Sequence, residues 1–148
     1  MSSFCTIHRV PRAGFDPIDT ERGALAVINM VLTPPLRHDT VVITLDQERR
    51  GRSLVVVHHT DRHDALFGVL EMVVGMVDDE FDALIVATVR PPVVGVPDLD
   101  TFDVERWILA SELVEDAGLE LVEWFVIGAG VSCPRELAAE PSRWAAHR

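Results

Sequence analysis

Hydrophobic and polar positions along the chain change period several times. Residues 1–18 show no period, and Pro11, Gly14 and Pro17 punctuate them, so an irregular lead-in is expected. From a cap at Asp19 or Thr20, Leu25, Ile28 and Leu32 recur at helical spacing until Pro34-Pro35 ends the run. TVVITLD, from Thr40, is dense in β-branched residues and predicts a strand; SLVVVH, beyond the charged QERRGR loop, predicts another. Two strands joined by a short polar loop make an antiparallel hairpin most simply. A second helix is expected over Asp61–Val77. Its body, ALFGVLEMVVGMV, has one charged residue, Glu71. A helix apolar on nearly all sides is central in its fold or covered by another subunit. DALIVATV, 82–89, predicts a strand buried on both faces. VRPPVVGVPDLD reads as a loop broken by three prolines. Asp100 or Thr101 is expected to cap a third helix reaching Ala117, with Val104, Trp107, Ile108 and Val114 inward and Gly118 as a left-handed C-cap. LELVEWFVIG predicts the last strand, followed by a loop and one short helix.

The order implies an α/β domain over residues 19–136, followed by a C-terminal tail at 137–148. Its expected architecture is a mixed sheet of about four strands, a hairpin plus two βα crossovers, packed with three helices. Strand–helix–strand twice in succession predicts parallel neighbours with right-handed crossovers. At 148 residues and 48% hydrophobic content, one domain with a real core is expected.

Composition narrows the partners. The formal net charge of −11, with only Arg49, Arg50 and Arg52 as a tight basic group, argues against nucleic acid. All 13 basic residues are Arg, which reads as GC-rich coding. Cys5 and Cys133 lie near opposite ends, so neither a disulfide framework nor a cysteine zinc site is expected, and a reducing, cytoplasmic setting is. MSSFCTIHRVPR lacks the apolar core of a signal peptide, and no run of eighteen apolar residues suggests a membrane span.

Ligands of such sheets collect outside the carboxyl ends of parallel strands. Three loops are expected there. The first carries His58, His59 and Asp61; the second Arg90, Asp98, Asp100 and Asp103; the third Gly128, Gly130, Ser132, Cys133 and Arg135. HHTDRHD, 58–64, holds three histidines and two aspartates. His58, His59 and His63 with Asp61, Asp64 or Asp103 are candidate zinc ligands. A helix starting at Thr60 or Asp61 would place His59 before its first turn and break the i,i+4 geometry. A cap at Thr60 or Asp61, with Asp64 adding charge near the helix start, explains the same residues. Cys133 would need a histidine from the first loop to act as a nucleophile. GAGVS follows the last strand without opening a clear helix, which makes it a poor phosphate cradle. Among the aspartates, Asp100 is expected to cap and the others to be solvated.

TVVITLD, the following turn and strand, the apolar helix, DALIVATVRPP and DAGLELVEWFVIG together resemble the RadC-like branch of the JAB/MPN fold over roughly residues 38–135. Active members of that family are zinc hydrolases. They use a Glu near the first strand, a His-x-His-Pro run after the strand matched by DALIVATV, and an Asp in the next helix. Here the run is Val89-Arg90-Pro91-Pro92, the Glu position falls near His38 or Asp39, and only Asp103 falls near the family Asp. The resemblance implies the fold and argues against its usual chemistry. The run LTPPLRHDTVVITLD is also similar to small actinobacterial domains of unknown function.

Three readings follow. The first is a non-catalytic domain, with no cofactor, that binds a partner or forms a homodimer through the apolar helix 61–77. The second is a zinc hydrolase with a relocated His/Asp site. The third is a sensor of small anionic ligands, with Arg90 and Arg135 as the clamp and Ser132 and Cys133 nearby.

Overall fold

The computed structural model describes residues 11–76 and 80–144. The first ten residues of the expected lead-in, the expected helix end at Val77 and the end of the tail lie outside them. Helix α1 (Glu21–Val31) starts where Thr20 Oγ1 accepts the Gly23 N–H at 3.1 Å. Strands β1 (Asp39–Leu45) and β2 (Gly51–His58) form the expected antiparallel hairpin. Helix α2 (Ala65–Val74) leads to β3 (Ala83–Val89), and α3 (Asp103–Asp116) to β4 (Glu120–Ile127). A two-residue strand β5 (Val131–Ser132) and a short helix α4 (Pro134–Leu137) follow.

The five-stranded sheet has the order β2-β1-β3-β4-β5. One expectation is corrected here. The β3–α3–β4 crossover joins adjacent parallel strands, but β2 and β3 are separated by β1, which runs antiparallel to both. The apolar content of β1 gives the reason. Six of its seven residues are buried, which only an interior position provides.

Two apolar layers flank the sheet. Ala24 and Ile28 of α1 pack on Val41, Ile43, Ile85, Ala87 and Phe125. On the other face Leu66, Val69, Leu70 and Val73 of α2 join Trp107, Ala110 and Val114 of α3 over Val42, Leu84, Val86 and Trp124. β3 is covered on both sides and is buried throughout. The all-round apolar character of α2 is spent mostly inside the fold. Phe67 and Val74 pack at the margin of the second layer, and its well-exposed apolar side chains among the described residues are Met72 and, just beyond the helix, Met76. On α3, Val104, Trp107 and Val114 turn inward to differing degrees, whereas Ile108 is exposed because it falls on the solvent side of the helix.

Helix α3 ends as its sequence predicts. Gly118 has φ +80°, its N–H donates to Glu115 O at 2.9 Å, and Leu119 N–H donates to Val114 O at 3.1 Å, a Schellman termination. The lead-in is tied at Ile18, whose N–H donates to Arg49 O at 2.7 Å. The described part of the tail is docked too. Arg143 donates to Leu121 O at 2.7 Å, and the Trp107 indole N–H donates to Glu140.

β4 carries a bulge. Leu84 pairs with Leu121, but Ile85 pairs with Glu123, so Val122 and Glu123 both stand between Leu121 and Trp124. Leu121 and Trp124 keep to the α2–α3 layer, and Glu123 meets Arg135 of α4, whose Nε donates to both carboxylate oxygens at 3.1 and 3.2 Å. Neither side chain is more than 8% exposed. Burial pushes the Glu123 pKa up and Arg135 opposes the rise. Breaking such a pair leaves a buried charge uncompensated, whereas removing both groups removes the liability. Arg135→Leu is therefore expected to lower stability by about 3 kcal/mol in urea unfolding, and Glu123→Leu/Arg135→Leu by much less.

Candidate functional site

Parallel β2, β3 and β4 bring their carboxyl ends to one edge, together with the start of β1. A cavity of about 200 Å³ opens there. Thr40, Thr88 and Trp124 contribute from the sheet, Thr60 to His63 and Leu66 from the α2 side, and Arg90 to Val93 with Val96 to Asp98 from the proline loop. Thr40 and Thr88 face each other across the β1–β3 ladder. They continue the positions that Val42 and Val86 occupy in the second core layer, so the apolar series turns polar where the cavity begins. Thr40 Oγ1 donates to Thr60 Oγ1 at 2.9 Å, and the Trp124 indole N–H donates to Thr88 Oγ1 at 2.9 Å. His38 stands on the same wall.

The expected cap at Thr60 or Asp61 is corrected by this bond. The Thr60 hydroxyl is engaged with Thr40, and α2 starts only at Ala65, with Asp64 in the N-cap position but making no side-chain cap bond. His59 takes a left-handed backbone, φ 62°, which turns the chain out of β2. His58 pairs with Asp39 at 2.9 Å, His63 lies 3.7 Å from Asp100, and Arg62 lies 3.6 Å from Asp64. His58, His59, His63, Asp61, Asp64 and Asp103 therefore do not gather as a ligand set. Among the described residues, the three ligand-type side chains that do lie within 4.8 Å of one another are Glu21, Glu123 and Cys133. That group does not fit a metal ion either, because the Arg135 guanidinium already holds both Glu123 oxygens.

The aspartates expected to be solvated are engaged instead. Asp103 has no exposed surface. Arg90 grips it with both terminal nitrogens, at 2.7 and 2.9 Å, and Arg106 Nη1 adds a contact at 2.9 Å. The Asp100 backbone N–H also donates to it, at 2.7 Å. Burial works against ionisation of Asp103. These hydrogen bonds and the charge of Arg90 outweigh burial and hold the carboxyl below its ordinary range. Asp100 accepts from Phe102 N–H at 2.8 Å in the turn before α3 and pairs with Arg106, so it braces the helix start from outside the N-cap position, which is Phe102.

Asp98 reaches across to the third loop. Its two oxygens accept the N–H groups of Ala129 and Gly130, each at 3.0 Å, which holds its pKa down. The glycine loop thus does cradle an anion, and the anion is the chain's own. A Cβ at Gly128 would stand 2.3 Å from Asp98 Oδ1.

The proposed anion clamp is separated. Arg90 lines the cavity and pairs with Asp103, while Arg135 pairs with Glu123 and is not among the lining residues. Ser132 lies on β5, likewise outside the cavity lining. Cys133 is buried, and its Sγ donates to Glu21 at 3.5 Å. Burial, then Glu123 and Glu21, push its thiol pKa far up, which keeps it protonated and weakly nucleophilic.

No protein-family model matches this chain, and no curated protein matches it. The RadC-like resemblance rests on the sequence stretches that carry it. Thr40, Thr60, Thr88 and Trp124 are the lining residues that sequence reasoning misses. For Thr88 the signal is a threonine ending the otherwise apolar alternate series Leu84 and Val86 in β3; Thr40 shares its face of β1 with Thr44, Thr60 lies in a loop and Trp124 in β4, and these carry no comparable signal.

A depressed carboxyl contributes its stability above its unfolded pKa and loses it as pH falls through the folded one. Asp103→Asn is accordingly expected to cost about 3 kcal/mol near pH 7, and its deficit against the parent protein should shrink as pH falls below about 4 in urea unfolding series. Gly128→Ala, which forces Asp98 out of its cradle, should lower the melting temperature and expose the Ala129 and Gly130 amides to hydrogen exchange.

Proposed function

We propose that the chain is a non-catalytic α/β binding domain of degenerate JAB/MPN type, and that the cavity at the strand ends is its ligand seat. The carrying observation is the cavity itself. It lies where open sheets with parallel strands bind ligands, and it combines apolar walls with a few convergent polar groups. Degeneracy is supported by the Arg90–Asp103 pair. In the family resemblance, Asp103 matches a metal-binding carboxylate, and here a guanidinium supplies the positive charge it would otherwise take from an ion. Val89 and Pro91, at the histidine positions, offer no metal-ligating side chain. The relocated zinc hydrolase is the weaker reading, because its candidate ligands point to separate partners. Self-association through α2 is also weaker, since that helix buries its apolar face within the monomer.

The test is a small-fragment screen read by two-dimensional NMR. Bound fragments are expected to shift the Trp124 indole N–H and the Thr60, Thr88 and Arg90 amides together. Val96 lines the cavity and is 59% exposed, so Val96→Trp should obstruct the mouth without touching the core. It is expected to weaken those fragments by about tenfold or more, some 1.4 kcal/mol, with little change in melting temperature. Shifts confined to other surfaces, or no shifts, would remove the reading.

A further inference from the structure

We infer that the cavity selects a small uncharged molecule that presents a carbonyl oxygen on an apolar body; this rests on the binding reading above and gives it a ligand class.

The hydrogen-bonding groups on the inner wall are unequal. The Trp124 indole can only donate, and it occupies a lone pair of Thr88 Oγ1. Thr88 then has its own proton to give, and among the described residues no group accepts it. Thr40 and Thr60 share one hydrogen bond, which uses one of their two hydroxyl protons and leaves the other. Arg90 can only donate, and Nη1 and Nη2 serve Asp103 and the Asp98 carbonyl while its Nε makes no hydrogen bond among the described residues. Thr60 and Thr88 are each 7% exposed, so these donors sit in a poorly hydrated place. A ligand that brings lone pairs completes them, and one without leaves them unmet.

Charge decides which acceptor. Around this edge Asp61, Asp64, Asp98, Asp100 and Asp103 outnumber Arg62, Arg90 and Arg106. Every one of the three guanidinium groups is already paired with a carboxylate. Asp61 and Asp98 line the cavity without an ion pair among the described residues. Each guanidinium at this edge has a carboxylate within 3.6 Å, the histidines His38 and His63 also line the cavity, and the chain as a whole carries −11 with its histidines counted neutral. A carboxylate or phosphate ligand would satisfy the donors but meet a negative surround; an amide or ketone satisfies them without that repulsion. A cation suits the rim and has nothing to offer the inner donors.

Size and walls set the body. Leu66, Pro91, Pro92, Val93, Val96 and Pro97 supply apolar surface. An apolar cavity of about 150 Å³ holds benzene, so a space of about 200 Å³ suits a six-carbon ring with a small head group.

The experiment uses the full chain and three matched probes: cyclohexanecarboxamide, cyclohexanecarboxylate and cyclohexylmethylamine, titrated by NMR at neutral pH. The amide is expected to bind at the cavity about tenfold or more tighter than either charged probe. Thr88→Val should abolish that preference and Thr88→Ser retain it; should Thr88→Val fail to fold, Thr60→Val serves in its place. The carboxylate or the amine binding as tightly as the amide would overturn the inference. So would an amide preference that survives both valine substitutions. If fragments occupy the cavity but the amide does not, the ligand class is wrong and the seat stands. If nothing occupies it, the seat itself fails, and this inference fails with it.

Discussion

Covering a sheet on both faces leaves only its ends for chemistry. β1, β3 and β4 are sealed between α1 on one side and α2 with α3 on the other, and most of their side chains are apolar. A polar group placed mid-strand needs a partner, and the bulge at Glu123 with Arg135 beneath it is what meeting that need looks like. At the carboxyl edge the constraint relaxes, because the layers part and loops supply donors and acceptors. The cavity, the buried threonines and the Asp103 cluster all sit there for the same reason.

That edge holds most of its charges in internal pairs. Arg90 serves Asp103, Arg106 serves Asp100 and Asp103, and Asp98 is served by backbone N–H groups. Such closed pairings make rigid walls. They also remove these groups from the pool available to an ion or an anionic ligand, because recruiting one would strand its partner. The residues that look most reactive in the sequence are in this sense the most committed in the structure.

Periodicity was enough to read the layers. The cap at Thr20, the hairpin, the sealed strand at 83–89 and the Gly118 termination all follow from local rules, and the structure has them. Strand order was not legible to the same depth. The apolar content of β1 says that it has both faces to bury, but nothing local says which two strands flank it. β5 is too short to carry a period at all. The site was legible as a place and not as a set of residues. The first two loops meet at the cavity, and the third is reached only through Asp98. The histidines of the first loop do not gather, while Thr40, Thr60 and Thr88 read as ordinary strand and turn residues in the sequence. Hydroxyl groups gain meaning only once their partners are known, and those partners are distant in sequence.

The contact between Asp98 and Gly128 has an evolutionary consequence. Any side chain at position 128 requires the carboxylate to withdraw, and once it withdraws the two amides of the glycine loop need another acceptor. Neither position can drift alone. Among relatives of this chain the two should change as a unit, so that loss of the aspartate accompanies loss of the glycine and a remodelled turn.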